Sequence, residues 1–423
     1  MSERTLTDIA TINPPLTRTP KLGELVSFVS MSGVSEGGGI TESSELPFDT
    51  VNSGFTRFQN GDVLFAKITP CMENGKGALA ESLTGGVGCG STEFHVLRAT
   101  QASVPGYLYQ LMQWKQTRQT AEIFMSGSAG QQRVQSDFFS RYKVYAPALP
   151  VQRKIATILS SIDTAIEKTE ALIAKCQQIK AGLMRDLFTR GVLPNGQLRP
   201  PREQAPELYQ ETAIGWIPKE WQYELLDKLA LRGSGHTPNK NFPEYWNGGI
   251  KWVSLADSHR LDQLYISDTE LQISHKGIQN SSAVLHPAGI VVLSRDAGVG
   301  KSAITTEPMA VSQHFMCWKC DQKMDNHFLY YWLQFNKRTF ENIAMGSTIL
   351  TIGLPYFKKM KIACPIEMEE QRNIAAKIKA SDTRIFSLQD ELSKLKQQKQ
   401  GLMHDLLTSK VPVKIEEPEV VDG

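Results

Sequence analysis

Residues 152–189 and 371–408 of this 423-residue chain are copies of one another. Gln152-Arg153-Lys154-Ile155-Ala156 aligns with Gln371-Arg372-Asn373-Ile374-Ala375. The register then holds without a gap to Gly182-Leu183-Met184-Arg185-Asp186-Leu187 over Gly401-Leu402-Met403-His404-Asp405-Leu406, with 16 identities. The same offset of 219 residues superposes Gly127-Ser128 on Gly346-Ser347, so the duplication reaches back beyond the copied segment itself. Self-similarity of this kind constrains the architecture first, because each copy has to bury the same surface in the same way.

That surface is an apolar seam. In the first copy it runs Ile155, Leu159, Ile162, Ile166, Thr169, Ile173, Cys176, Lys180, Leu183, Leu187; in the second, Ile374, Ile378, Ser381, Ile385, Leu388, Leu392, Leu395, Lys399, Leu402, Leu406. Alternating steps of four and three residues are the coiled-coil period, and such a stripe needs a partner helix. The simplest partner is the other copy, paired antiparallel, which relates the two by a pseudo-two-fold internal repeat. About 32 residues at 1.5 Å each predict a rod on the order of 50 Å long. Lys180 and Lys399 occupy the same seam position, where a polar side chain fixes register at some cost in stability. Pro150 and Pro365 stand before the helices, and Gly191 and Pro194 follow the first.

A chain of this length exceeds one ordinary core and suggests two domains of about 150 residues plus connecting structure. The expected division is a first globular domain at 1–150, a first spacer helix at 151–190, a Pro- and Gly-rich linker at 191–219, a second globular domain at 220–365, a second spacer helix at 366–410, and an acidic tail without periodicity at 411–423. The two globular domains share a plan rather than a sequence. Gly61–Ala66 and Gly289–Ser294 read as buried strands, and each is followed by a polar, Gly-containing loop with basic residues. Second strands are predicted around Phe94–Leu97 and His314–Trp318, then a helix (107–125; 326–345), the shared Gly-Ser turn and a last strand. The class is α+β, with two globular domains separated by a pair of long antiparallel coiled-coil helices.

Composition excludes several classes. No run of about 18 apolar residues occurs, so no membrane span is expected. The N-terminus lacks a secretory pattern, and six mostly isolated cysteines suit reduced thiols, which together predict a cytoplasmic protein. With 46 basic and 44 acidic side chains the net charge is +2, so charge alone does not call for nucleic acid. Gly300-Lys301-Ser302 ends like a phosphate-binding loop, but Arg295 stands where the pattern requires glycine and a β-like segment follows. Asn13-Pro14-Pro15-Leu16 lacks the aromatic residue that adenine methyltransferases stack on a flipped base. Cys317-Trp318-Lys319-Cys320 has metal-ligand spacing but no second pair. Neither a metal nor a cofactor is expected in this chain.

The arrangement resembles the specificity subunits of type I restriction–modification systems over nearly its whole length. The resemblance rests on the paired Gln-Arg-x-Ile-Ala openings and Gly-Leu-Met-x-Asp-Leu ends. It also rests on the junction Leu208-Tyr209, then Ile214-Gly215-Trp216-Ile217-Pro218-Lys219-Glu220-Trp221, continued by Thr237-Pro238, Glu244-Tyr245-Trp246 and Trp252-Val253-Ser254. The first domain lacks the Pro-Lys-Glu-Trp opening, which leaves its start, near Lys21, less defined. The resemblance implies a non-catalytic subunit whose two target-recognition domains each read half of an asymmetric, bipartite site in double-stranded DNA. Its helices would set the gap and dock two methyltransferase subunits, which bind S-adenosylmethionine. Restriction subunits would bring ATP and magnesium. Partner docking is expected around Gln152, Arg153, Ile155, Leu159, Ile162 and Ile166 and around Gln371, Arg372, Ile374, Ile378, Ile385 and Leu388. Base readout uses Arg or Lys against guanine and Asn or Gln against adenine. The candidates are Lys67, Thr69, Asn74, Lys76, Gln131, Gln132 and Arg133 in the first domain. In the second they are Thr237, Arg295, Lys301, Ser302 and Thr348, with Tyr245 and Trp246 as packing or backbone contacts.

Overall fold

The computed structural model describes residues 3–128, 130–346 and 350–415. Ser347 of the shared turn, the candidate Thr348 and the acidic tail from Glu416 onward lie outside the described residues. The chain divides into two units, residues 1–171 with 389–423, and residues 172–388.

In the first unit the apolar run becomes the strand Asp62–Ala66, buried at every position. It pairs antiparallel with Phe94–Ala99 on one side and Gly77–Leu79 on the other, and Ala10–Ile12 adds a fourth strand beyond Phe94–Ala99. Asp62 stands opposite Arg98 in this ladder, and its 1 %-exposed carboxylate accepts two bonds from that guanidinium, at 2.7 and 2.8 Å. A buried charge is tolerated when paired and hydrogen-bonded in this way. A second four-stranded sheet orders Ser44–Pro47, Leu25–Val29, Val87–Gly90 and Thr56–Gln59. The domain opens well before Lys21. Glu3–Thr5 pairs antiparallel with Lys143–Tyr145, the last strand before the long helix.

The second unit repeats the plan. Val291–Ser294 is buried throughout and lies between Phe315–Lys319 and Ser302–Thr305 in a five-stranded sheet. Trp221–Leu225 pairs with Lys361–Pro365, the counterpart of the pairing at Glu3–Thr5. The 191–219 segment is ordered: Tyr209–Thr212 and Gly215–Pro218 form a hairpin, and Val192 bridges Leu198. In both domains the single helix expected after the second strand is two helices. Pro105–Gln113 and Lys115–Ile123 break at Trp114, which takes extended angles (φ −66°, ψ 129°) and buries its ring beside His404. Asn326–Phe335 and Lys337–Ile343 break at Asn336. A one-residue break leaves the apolar period almost unchanged, so the pattern runs straight through it.

The long helices span Leu149–Arg190 and Met368–Leu407. Pro150 lies within the first turn, where its missing N–H costs no helical bond. All seam positions are buried or half-buried in both helices. Within the first unit Ile155 and Leu159 share a core with Met403, Leu406 and Leu407, and within the second unit Met184 and Leu187 share one with Ile374 and Ile378. Rising numbers on one helix meet falling numbers on the other, so each half-pair is antiparallel. The seam lysines find opposite charges. Lys399 Nζ lies 2.5 Å from Asp163, and Lys180 Nζ lies 2.5 Å from Asp382. Lysines and aspartates alike are related by the repeat offset.

Gly191 ends the first long helix in the left-handed region (φ +64°), its N–H bonded to Leu187 O. A Cβ there would come within 2.8 Å of Glu370, Arg199 and Trp221. Glu370 fastens this corner by accepting from Val192 N, both Arg199 terminal nitrogens and Trp221 Nε1.

Gln152 and Gln371 are fully buried. Gln152 accepts from Val104 N and donates to Ala102 O and Pro147 O; Gln371 accepts from Asp325 N and donates to Lys323 O and Pro365 O. Expected at a partner surface, both instead face inward and staple each helix start to its own domain. Replacing either by Met should strand three backbone groups and lower stability by about 2–4 kcal/mol in urea denaturation. A loss below about 0.5 kcal/mol would contradict the staple.

Candidate nucleic-acid interface

Three segments converge at one place in the first domain. Lys67, just past the central strand, donates its backbone N–H to Glu93 O and accepts at its carbonyl from Val134 N. Ile68 bridges Arg133, and Thr69 N donates to Gln132 O at 3.0 Å. The loop at 67–76, the turn at 91–93 and the segment at 131–134 therefore form one surface, so candidates far apart in sequence come together.

Their side chains differ in freedom. Arg133 clasps Glu93 through Nε and Nη2, both at 2.9 Å. That hydrogen bond is the main reason the Glu93 carboxyl is held below its usual range. Thr69 donates to Glu73, Asn74 to Glu36, and half-buried Lys76 to Met31 O at 2.9 Å. Gln131 and Gln132 are exposed and, among the described residues, their side chains make no hydrogen bond. Lys67 lines a cavity of about 450 Å³ with Arg57, Phe94 and the Asn13–Leu16 segment.

Two buried basic side chains, Arg118 and His95, support this surface from below. Arg118 donates to Met72 O and Gln113 Oε1 and lies 4.9 Å over the Phe65 ring. Burial pulls its pKa down to about 10, so it stays protonated at pH 7. His95 stands between Val134 O, 2.9 Å from Nε2, and the Asn13 side chain, 3.3 Å from Nδ1. Burial lowers its pKa, the Val134 bond opposing in part. Asn13 itself sits at φ +50°, with Oδ1 accepting from Val96 N. The Asn-Pro-Pro-Leu run is thus held by structural bonds.

The second domain uses the same backbone construction. Arg295 N donates to His314 O as Lys67 N does to Glu93 O, and Ile352 N donates to Arg295 O. Asp296 bridges Thr351. Phe315 N bonds Ser312 O as Phe94 N bonds Ser91 O. On this frame Arg295, 17 % exposed, lies beside Asp296. Lys301 Nζ donates to Ser258 O rather than standing free. Ser302 leaves the candidate set: it opens a buried strand, is fully enclosed, and lies 2.8 Å from Gln334 Nε2. Tyr245 stacks on Phe242, and Trp246 packs edge-on against Trp252. Thr237 donates to Gln313, which leads to His314 and the buried Asp296.

Sequence reasoning missed Glu93, Gln313 and His314. A signal was present: Glu93 and His314 immediately precede the second apolar strand of their domains, with Gln313 one residue further back, and the strand phenylalanines Phe94 and Phe315 are 221 residues apart, close to the repeat offset. Among the described residues no group of His, Cys, Asp or Glu is arranged to hold a metal, and Cys317 is a buried thiol beside His286. No helix of the described residues is long and apolar enough to cross a membrane.

A sequence family described as the type I restriction modification DNA specificity domain matches residues 1–178 and 218–397. The chain is 38% identical over 161 residues to the specificity subunit of the type I restriction enzyme EcoEI of Escherichia coli, a match covering 37% of this chain and 27% of that protein. It is 30% identical over 181 residues to the MjaIX specificity subunit of Methanocaldococcus jannaschii, covering 42% of this chain and 41% of the relative. These matches therefore span less than half of either relative. The fold is similar to that of a type I restriction–modification S subunit from M. genitalium, with TM-score 0.56, 13% identity, and coverage of 98% of this chain and 96% of that one.

The lowered His95 pKa gives a pH signature. The unfolded chain takes up this proton near pH 6.5 while the folded one resists it. The His95 contribution to stability should therefore be level above about pH 6.5 and fall below it by up to about 1.4 kcal/mol per pH unit, until the folded group also protonates. Urea midpoints across pH 5–8 test this. His95→Gln should flatten that part of the profile; an unchanged slope would contradict the assignment.

Proposed function

Since the chain belongs to the type I restriction–modification DNA specificity family, we propose that it reads an asymmetric, bipartite sequence in double-stranded DNA, one half with each domain. The observation that carries this reading is the common backbone frame at 67–134 and 295–352, which presents unlike side chains. Identical readers would suit a symmetric site; unlike ones suit two different half-sites. Lys67, Gln131 and Gln132 in the first domain, and Arg295 in the second, are the side chains proposed to approach the bases, with Arg133 available once Glu93 releases it and Thr237 held by its bond to Gln313. Thr69, Asn74, Lys76 and Lys301, bonded within the protein, are proposed to shape the loops. Tyr245 and Trp246 pack the second domain's loop.

The paired helices set the unspecified gap and dock two methyltransferase subunits. Exposed apolar side chains on the helices of the second unit, Leu172, Ile179 and Phe386, support a docking role, as do the outward-facing Arg153 and Arg372. Ile155, Leu159, Ile374, Ile378, Ile385 and Leu388 hold the seam closed beneath them, flanked by half-buried Ile162 and Ile166. The chain performs no chemistry itself. S-adenosylmethionine for adenine-N6 methylation belongs to the methyltransferases, and ATP and magnesium to restriction subunits that join the same core in the cytoplasm. A net charge of +2 suits a reader whose phosphate contacts are shared with partners.

Exchanging residues 1–150 for the matching domain of another family member, with the methyltransferase co-expressed, should change one half of the modified sequence and leave the other intact. Sequencing of methylated adenines reads the result. A change in both halves, or in neither, would sink the modular reading.

A further inference from the structure

In the second domain four side chains form a directed chain of hydrogen bonds at the edge of the proposed reading surface. Asp296 is 7 % exposed, and its Oδ2 lies 2.7 Å from His314 Nδ1. A carboxylate only accepts, so Nδ1 carries a proton; in the tautomer protonated there alone, Nε2 is an acceptor. Gln313 Nε2 lies 3.4 Å from that nitrogen and is its donor. On the other side of the amide, Gln313 Oε1 accepts from the Thr237 hydroxyl. The two neighbours thereby fix which end of the amide is oxygen and which is nitrogen.

An amide has two N–H donors and two acceptor lone pairs. Here one of each is used, and one of each remains on an exposed side chain. An acceptor beside a donor, held in fixed order, matches the N6 amino group and N7 of adenine in the major groove. The equivalent turn of the first domain, Ser91-Thr92-Glu93, carries no amide, and its carboxylate is occupied by Arg133. Resting on the DNA-reading function above, we propose that Gln313 reads an adenine in the half-site of the second domain. Thr237 and His314, backed by Asp296, are positioning residues for its amide.

Genome-wide mapping of methylated adenines, in cells carrying the full chain with its methyltransferase, tests this. The domain exchange assigns each half-site to its reader. Gln313→Ala should make one adenine position of the second domain's half-site degenerate, discrimination there falling by about 10- to 100-fold, with the other half-site unchanged. Thr237→Val, which keeps the amide but removes its donor, should relax the same position more weakly; a purely structural role would not confine the effect to one base. An unchanged sequence in Gln313→Ala overturns the proposal. So does degeneracy in both halves, relaxation of different positions by the two variants, or loss of all modification. A wild-type chain that yields no bipartite sequence overturns the DNA-reading function together with it.

Discussion

An apolar seam about ten turns long has to be covered along its length, and in this chain the two copies of one helix cover each other. Apolar contact alone is permissive about register, because sliding by a heptad exchanges one aliphatic pair for another. The seam lysines remove that freedom. Lys180 meets Asp382 and Lys399 meets Asp163, and a slipped register would leave these half-buried charges unpaired. Partial burial makes the unpaired state costly, whereas a fully exposed pair would contribute little. The aspartates also answer to the domains: Gln110 donates to Asp163 at 2.7 Å, and Tyr331 lies in the field of Asp382. Helix register and domain placement are therefore set by the same residues in each unit.

From that constraint the proposed reading surfaces follow by short steps. The buried glutamines Gln152 and Gln371 tie each helix start to the loop that leads into the next domain helix. Those helices pack on the central strands, and in the first domain Arg118 carries the connection on to the loop carbonyls at Met72 and Lys76. Each central strand delivers its loop to the place where the turn before the second strand and the segment after the domain helices already meet. What varies between the domains is confined to the side chains on this frame. Arg133 against Glu93 in one becomes Asp296 against His314 in the other.

Much of this was legible in the sequence because duplication and heptad period are strong signals. The paired helices, the buried central strands and the two-domain plan follow from them. The breaks at Trp114 and Asn336 were not legible, since one non-helical residue barely disturbs an apolar period. The opening strand Glu3–Thr5 was hidden because three residues carry no pattern of their own and gain meaning only by pairing with Lys143–Tyr145. Site residues were read less well than the fold. A basic or polar residue on a Gly-containing loop looks free in sequence, yet Lys76 and Lys301 spend their charge on backbone carbonyls, and Ser302 lies inside a strand. Gln313 and His314 were missed because their role depends on a contact with Thr237 across 76 residues of chain.

The central claim is that the paired helices determine the separation of the two recognised half-sites. Inserting one heptad into both long helices, with the seam and both Lys–Asp pairs kept in register, tests it most directly when the methylated sequence is mapped again. The account expects both half-sites unchanged and a longer gap between them. An unchanged gap, with both half-sites still recognised, would show that the helices do not set the spacing.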